Sequence, residues 1–129
     1  MALEFRKTTF LKVYTGEDVM LDDEVLYKAI IKKARELGLA GGTVVKGIEG
    51  YASKERGIGR AISSFISGNA NLPVIVEIVD RRENIEKILP FLEKHASHAL
   101  VLIEESNYMV TDWMRSHYKQ PRISNSEEE

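Results

Sequence analysis

The sequence predicts an α+β domain of strand–helix–strand–strand–helix–strand order, the ferredoxin-like βαββαβ arrangement with a four-stranded antiparallel sheet. Three observations carry this. Leu72 to Asp80 reads LPVIVEIVD, with five β-branched residues in nine, which marks a strand from the middle of a sheet. Val25, Leu26, Ala29, Ile30, Ala34 and Leu37 recur at three- and four-residue spacing, which marks an amphipathic helix. The other β-rich runs stand before that helix, just after it and near the C-terminal end, with a second helical pattern ahead of the last.

In chain order, Phe5 to Tyr14 (FRKTTFLKVY) alternates. Phe5, Leu11 and Val13 fall on one side; Arg6, Thr8, Lys12 and Tyr14 make a wetter one. Thr15-Gly16-Glu17-Asp18 ends this strand. Asp22-Asp23-Glu24 is expected at the positive end of the first helix. Lys28, Lys32, Lys33, Arg35 and Glu36 fill that helix's polar face, and Gly38 caps it. Thr43 to Glu49 (TVVKGIE) is the second strand, where Gly47 marks a bulge or a close backbone approach. The connection from Gly50 to Asn71 is unusually long for a compact domain and therefore functional or disordered, with a short helix expected over Arg60 to Ile66. In LPVIVEIVD, Pro73 can stand only at the start of the strand, and both faces are expected to be buried. Glu83 to Ala96 is the second helix, with Ile85, Ile88, Leu89, Leu92 and Ala96 on one side and Pro90 predicting a kink or break. His98 to Glu104 (HALVLIE) is the last strand. Met109 to Tyr118 is a final short helix or extra strand, and the polar tail from 120 to 129 is expected to be disordered. The helices cover one face of the sheet. Val76, Leu100 and Leu102 suggest that the other face also needs cover, which a second subunit would supply.

Length and composition narrow the function. A chain of 129 residues, 43% hydrophobic and 29% charged, reads as one domain spanning residues 1–129. The net charge of −2 provides no general cationic field for nucleic acid or anionic lipid. RNA-recognition domains share the βαββαβ order but stack bases on aromatic side chains of the middle strands; Thr43 to Glu49 and Leu72 to Val79 contain none, so no nucleic-acid partner is expected. There is no cysteine, which excludes a disulfide framework and thiol chemistry and suits a cytoplasmic location. Met1 to Lys12 lacks the apolar core of a signal peptide. No apolar run approaches the roughly 20 residues of a membrane span, so no direct membrane insertion is expected.

Gly38 to Gly57 reads GLAGGTVVKGIEGYASKERG. This resembles the segment of the PII nitrogen-regulatory proteins that runs from the end of the first helix, through the second strand, into the T-loop. Gly41, Thr43, Val44, Gly50, Tyr51 and Lys54 fall at or near corresponding places. There is about one residue more between Thr43 and Gly50, and Ala52 stands where PII proteins have glycine. Together with LYKAIIKKARELGLAGGTVVKGIEGY and LPVIVEIVD, the resemblance is to a PII-like signalling family and covers residues 8 to 105. It implies a homotrimer that binds an adenine nucleotide in the clefts between subunits and signals through the long loop at 50–71 to a transporter or enzyme partner.

Carried over residue by residue, the resemblance places Thr43, Gly50 and Tyr51 on the T-loop side of the cleft and Glu77 on the third strand near the nucleotide. The PII phosphate loop before the last strand is replaced by Lys94-His95-Ala96-Ser97-His98, without glycine, leaving His98 as the candidate there. These departures count against ATP-type phosphate binding and favour AMP or ADP. The residues themselves add Lys54, Arg56 and Arg60 within GYASKERGIGR, because glycine lets backbone N–H groups approach an anion and arginine grips phosphate through two N–H groups. Each has a plainer reading: a solvated loop for the cations, an ordinary strand threonine for Thr43, an internal ion pair for Glu77. His95 and His98 could share a helix face, but a helix end falls between them and no third ligand is evident, so no metal is predicted. The alternative function is a small ferredoxin-like phosphate-handling enzyme. Against it, Thr15-Gly16-Glu17-Asp18 is acidic where such an enzyme cradles phosphate, and no Ser/His/Asp or Cys/His set is present.

Overall fold

The computed structural model describes residues 2–50 and 72–117. Four strands, β1 (Phe5–Gly16), β4 (Thr43–Lys46), β5 (Pro73–Asp80) and β6 (Leu100–Met109), form one sheet in the order β4-β5-β1-β6. Every neighbouring pair is antiparallel. This is the expected ferredoxin-like α+β topology. The expected helix over Arg60 to Ile66 and the tail from 120 lie outside the described residues.

One face of the sheet is the core. Leu11 and Val13 of β1 pair with Ile78 and Val76 of β5. With Val74, they meet Leu26, Ile30 and Ala34 of helix α1 (Leu26–Glu36), and Ile85, Ile88 and Leu92 of the second helical segment. Each fully buried Leu or Ile contributes about 1.5–3 kcal/mol of transfer free energy, so this layer dominates stability. Helix α1 ends as its sequence requires: Gly38 has φ of 80°. Its N–H donates to Arg35 O, and that of Leu39 donates to Ala34 O, a Schellman closure.

Several boundaries differ from the sequence expectation. The acidic run does not start α1, whose N-cap is Val25. Instead Asp22 and Asp23 turn a small hairpin between β2 (Met20–Leu21) and β3 (Glu24–Val25). Asp22 sits at φ of 54°, a left-handed conformation that Asp tolerates better than most residues. Pairing with β5 carries β1 on to Gly16, and pairing with β1 carries β6 on to Met109, beyond the expected ends. Strand β4 stops at Lys46. Pro90 does break the second helix: α2 (Arg82–Ile85) passes through a 3₁₀ turn (Glu86–Ile88) into α3 (Leu89–His95), because proline donates no hydrogen bond and crowds the carbonyl four residues back. Residues 112–117 form helix α4 (Asp112–His117).

The face of β5 away from the helices is half-covered rather than buried. Burial alternates strictly along the strand, with Ile75, Glu77 and Val79 on the open side. Val76 faces the core, so the open face is instead made by Phe10, Lys12 and Tyr14 of β1 with their register partners Glu104, Leu102 and Leu100 of β6. Leu100 remains 46% exposed.

Candidate functional site

The predicted site residues that the structure describes fall in two places on the sheet. At one end, β4 and β1 finish while β5 and β6 begin. Gly16 pairs with Pro73, and the Gly47 N–H donates to Pro73 O at 2.7 Å. A Cβ on Gly47 would lie 2.7 Å from Pro73 Cγ, and one on Gly50 would lie 3.1 Å from it. The first contact excludes a side chain at Gly47, the close approach expected there, and the second crowds one at Gly50. Gly50 is placed over the first residue of β5, and His98 is brought to the same end, its Nε2 3.0 Å from Thr15 Oγ1.

Thr43 and Glu77 are direct register partners on β4 and β5, with Lys12 on the other side of Glu77. They stand four residues from Pro73 along β5, roughly 13 Å at the usual rise per strand residue. Thr43 is exposed and Glu77 half-buried. Tyr51, Lys54, Arg56 and Arg60 lie outside the described residues.

The loop-bearing end has an organiser that sequence reasoning passes over. The Glu17 N–H donates to Leu72 O at 3.1 Å. Its carboxylate accepts the Leu72 N–H at Oε2, 3.2 Å, and pairs through Oε1 with Lys46 Nζ at 3.1 Å. The Leu72 N–H, and after it Lys46, hold this carboxyl below the usual glutamate range. The acidic Thr15–Asp18 turn therefore supplies a charge already committed to Lys46. The only signal for this in the chain is weak: an acid one residue beyond a strand whose end is hard to place.

The other end of the sheet is built around Asp80, fully buried. Its carboxylate accepts from Ala40 N at 2.7 Å, Arg81 N at 2.6 Å and Asn84 Nδ2 at 2.9 Å, and its carbonyl accepts from Thr8 Oγ1 at 3.1 Å. His95 packs its ring on Phe91, centroids 4.8 Å apart. Among the described residues no group of three His, Asp or Glu side chains could hold a metal ion, and no helix is long and apolar enough to cross a membrane.

The fold that carries these two places is that of the PII-like signalling proteins. A PII-like signalling protein of Thermus thermophilus (TTHA0516) superposes with a TM-score of 0.52, 15% identity, and coverage of 87% of this chain and 97% of that one. CPII of Thiomonas intermedia K12, solved bound to ADP, AMP and acetate, superposes with a TM-score of 0.53, 10% identity, and coverage of 87% and 96%. At such identities the likeness is one of fold. By sequence the chain belongs to the DUF190 family (Uncharacterized ACR), whose model matches residues 8–108. UPF0166 protein MJ1524 of Methanocaldococcus jannaschii is 38% identical over 100 residues, 77% of this chain and 89% of the relative. The UPF0166 protein of Aquifex aeolicus is 33% identical over a stretch of the same length.

Proposed function

We propose that this chain, read as one domain over 1–129, is a PII-like regulator. It assembles as a homotrimer, binds AMP or ADP in the clefts between subunits, and signals to a transporter or enzyme partner through its 50–71 loop. The observation that carries this reading is the convergence at one end of a PII-like sheet of Gly50, at the root of the glycine- and arginine-bearing segment, with His98, ahead of the last strand. That CPII, a protein of this fold, takes ADP and AMP supports an adenine nucleotide as the ligand. In this reading Gly50 and His98 lie at the phosphate side with Tyr51, Lys54, Arg56 and Arg60. Thr43 and Glu77 line the cleft further along β5. The half-covered open face, where Phe10, Tyr14, Ile75, Leu100 and Leu102 stand among Lys12, Glu77 and Glu104, supports subunit association, because apolar side chains grouped on an open sheet face are normally covered.

The test is calorimetric titration of purified protein with AMP, ADP, ATP and cyclic AMP, with mass in solution measured by sedimentation equilibrium. Saturable binding near one nucleotide per subunit of a trimer is expected, and H98A and T43A should each weaken it. A trimer that takes none of the four would overturn the ligand, a monomer would overturn the assembly, and turnover of nucleotides or acyl phosphates would replace the regulator by an enzyme.

A further inference from the structure

We infer that Glu17 is a positioning residue for the nucleotide site, acting through the two ends of the chain that flank residues 51–71. The inference rests on the functional reading above and adds a residue to it. Lys46 is the last residue of β4 and Leu72 immediately precedes β5. One carboxylate holds both, with Lys46 Nζ at 3.1 Å on Oε1 and the Leu72 N–H at 3.2 Å on Oε2. The Glu17 backbone closes a second bond to Leu72 O at 3.1 Å. The strand that leads into Glu17 also holds the other side of the site: Thr15, two residues earlier, meets His98 at 3.0 Å, and Gly16 pairs with Pro73, on which Gly50 rests. Gly50 and His98 are therefore registered against each other through residues 15–17.

A Lys–Glu pair with side chains 50% and 28% exposed contributes little to stability by itself. Its value lies in geometry. Where the chain leaves β4 and re-enters at β5, Glu17 and the Gly47–Pro73 bond tie the two ends together. A carboxylate accepting from a backbone N–H and an ammonium at once fixes both in direction as well as distance. A ligand that needs Gly50 and His98 in one arrangement is weakened when an unregistered population must first be brought into line.

The experiment compares wild type, E17A, E17Q and K46M by ADP titration, thermal unfolding, and amide exchange of the nucleotide-free protein. E17A removes both contacts and should weaken ADP about tenfold, the loss of a charge-assisted hydrogen bond. E17Q retains an oxygen for the Leu72 N–H and K46M removes only the ion pair, so each should weaken ADP by about threefold or less. Exchange at Leu72 and Gly47 should speed up in E17A while exchange in the β5 core does not change. A fall in melting temperature with ADP affinity unchanged would reduce Glu17 to a structural contact and overturn the inference. If wild-type protein takes no ADP, the ligand reading fails on its own, and unaltered exchange at Leu72 and Gly47 in E17A would overturn the clasp separately.

Discussion

Each end of the sheet is closed by one carboxylate, and the two are built differently. Asp80 is wholly buried and accepts from three nitrogens, two close to it in the chain and one distant; Glu17 has a side chain 28% exposed and shares its oxygens between one N–H and one ammonium. The first ties the start of the second helical segment to the loop after α1, at the end of β5 opposite Pro73. The second stands among Gly50, Pro73 and His98. A buried carboxylate whose partners are backbone and amide groups has no cheap alternative, whereas an exposed one can exchange its partners for water. The fold thus sets its rigid closure at the end away from Gly50 and His98 and keeps an adjustable one beside them.

The largest test of this contrast is D80A. Removing the acceptor strands the buried Asn84 amide and takes the partner from the Ala40 and Arg81 N–H groups; with a buried unsatisfied donor costing about 1–3 kcal/mol, a loss of about 3 kcal/mol is expected by chemical denaturation. A loss below about 1 kcal/mol would mean that the two ends are closed equally loosely. Next is G47A. Its Cβ would meet the Pro73 ring at 2.7 Å, and because a proline ring cannot rotate aside, a cost of about 1–3 kcal/mol is expected. The paired control, G42A, places its Cβ 2.8 Å from Ile31 Cδ1, the free end of a flexible side chain, and should cost less than about 1 kcal/mol. Equal melting temperatures for the two variants would remove the claim of a rigid close approach.

A smaller effect separates the ends by pH. Because the Glu17 carboxyl is held below its ordinary value of 4.5, it favours the folded state at neutral pH, and that contribution is lost as pH falls through its lowered folded value. Wild type should therefore unfold at a higher temperature than E17Q at about pH 7, and the gap should close in acid below about pH 4. A gap independent of pH would show that the Glu17 charge does not matter to folding.

How much of this is legible in the sequence depends on the range of the interactions. Helix α1, the β5 strand, the Gly38 cap and the break at Pro90 follow from residues within a few positions of one another, and the structure has each of them. Gly47 is legible as a close approach, but its partner is not, because nothing local names Pro73. At the β2–β3 hairpin the local pattern points the wrong way. A two-residue ladder is too short to show a period, and acids ahead of an apolar repeat are more often a helix start. Glu17 is invisible as a clasp because its partner Leu72 is 55 positions away. Its neighbours suggest only an unwelcoming negative charge. For the open face, the pattern indicates that cover is needed but assigns Val76 to it. A run with apolar residues at nearly every position cannot reveal which parity points inward.

The order of the sheet also has a consequence for solubility. Among the described residues its two margins are unequal: β4 offers four residues, whereas β6 offers ten. A long strand with an unpaired margin is a template onto which another extended chain can add, the first step toward aggregates. Halfway along β6, Glu104 and Glu105 are both exposed, one on each face, so a copy stacked antiparallel and in register would set acid near acid. Like charge at this point disfavours such self-addition along a strand long enough to complete the sheet.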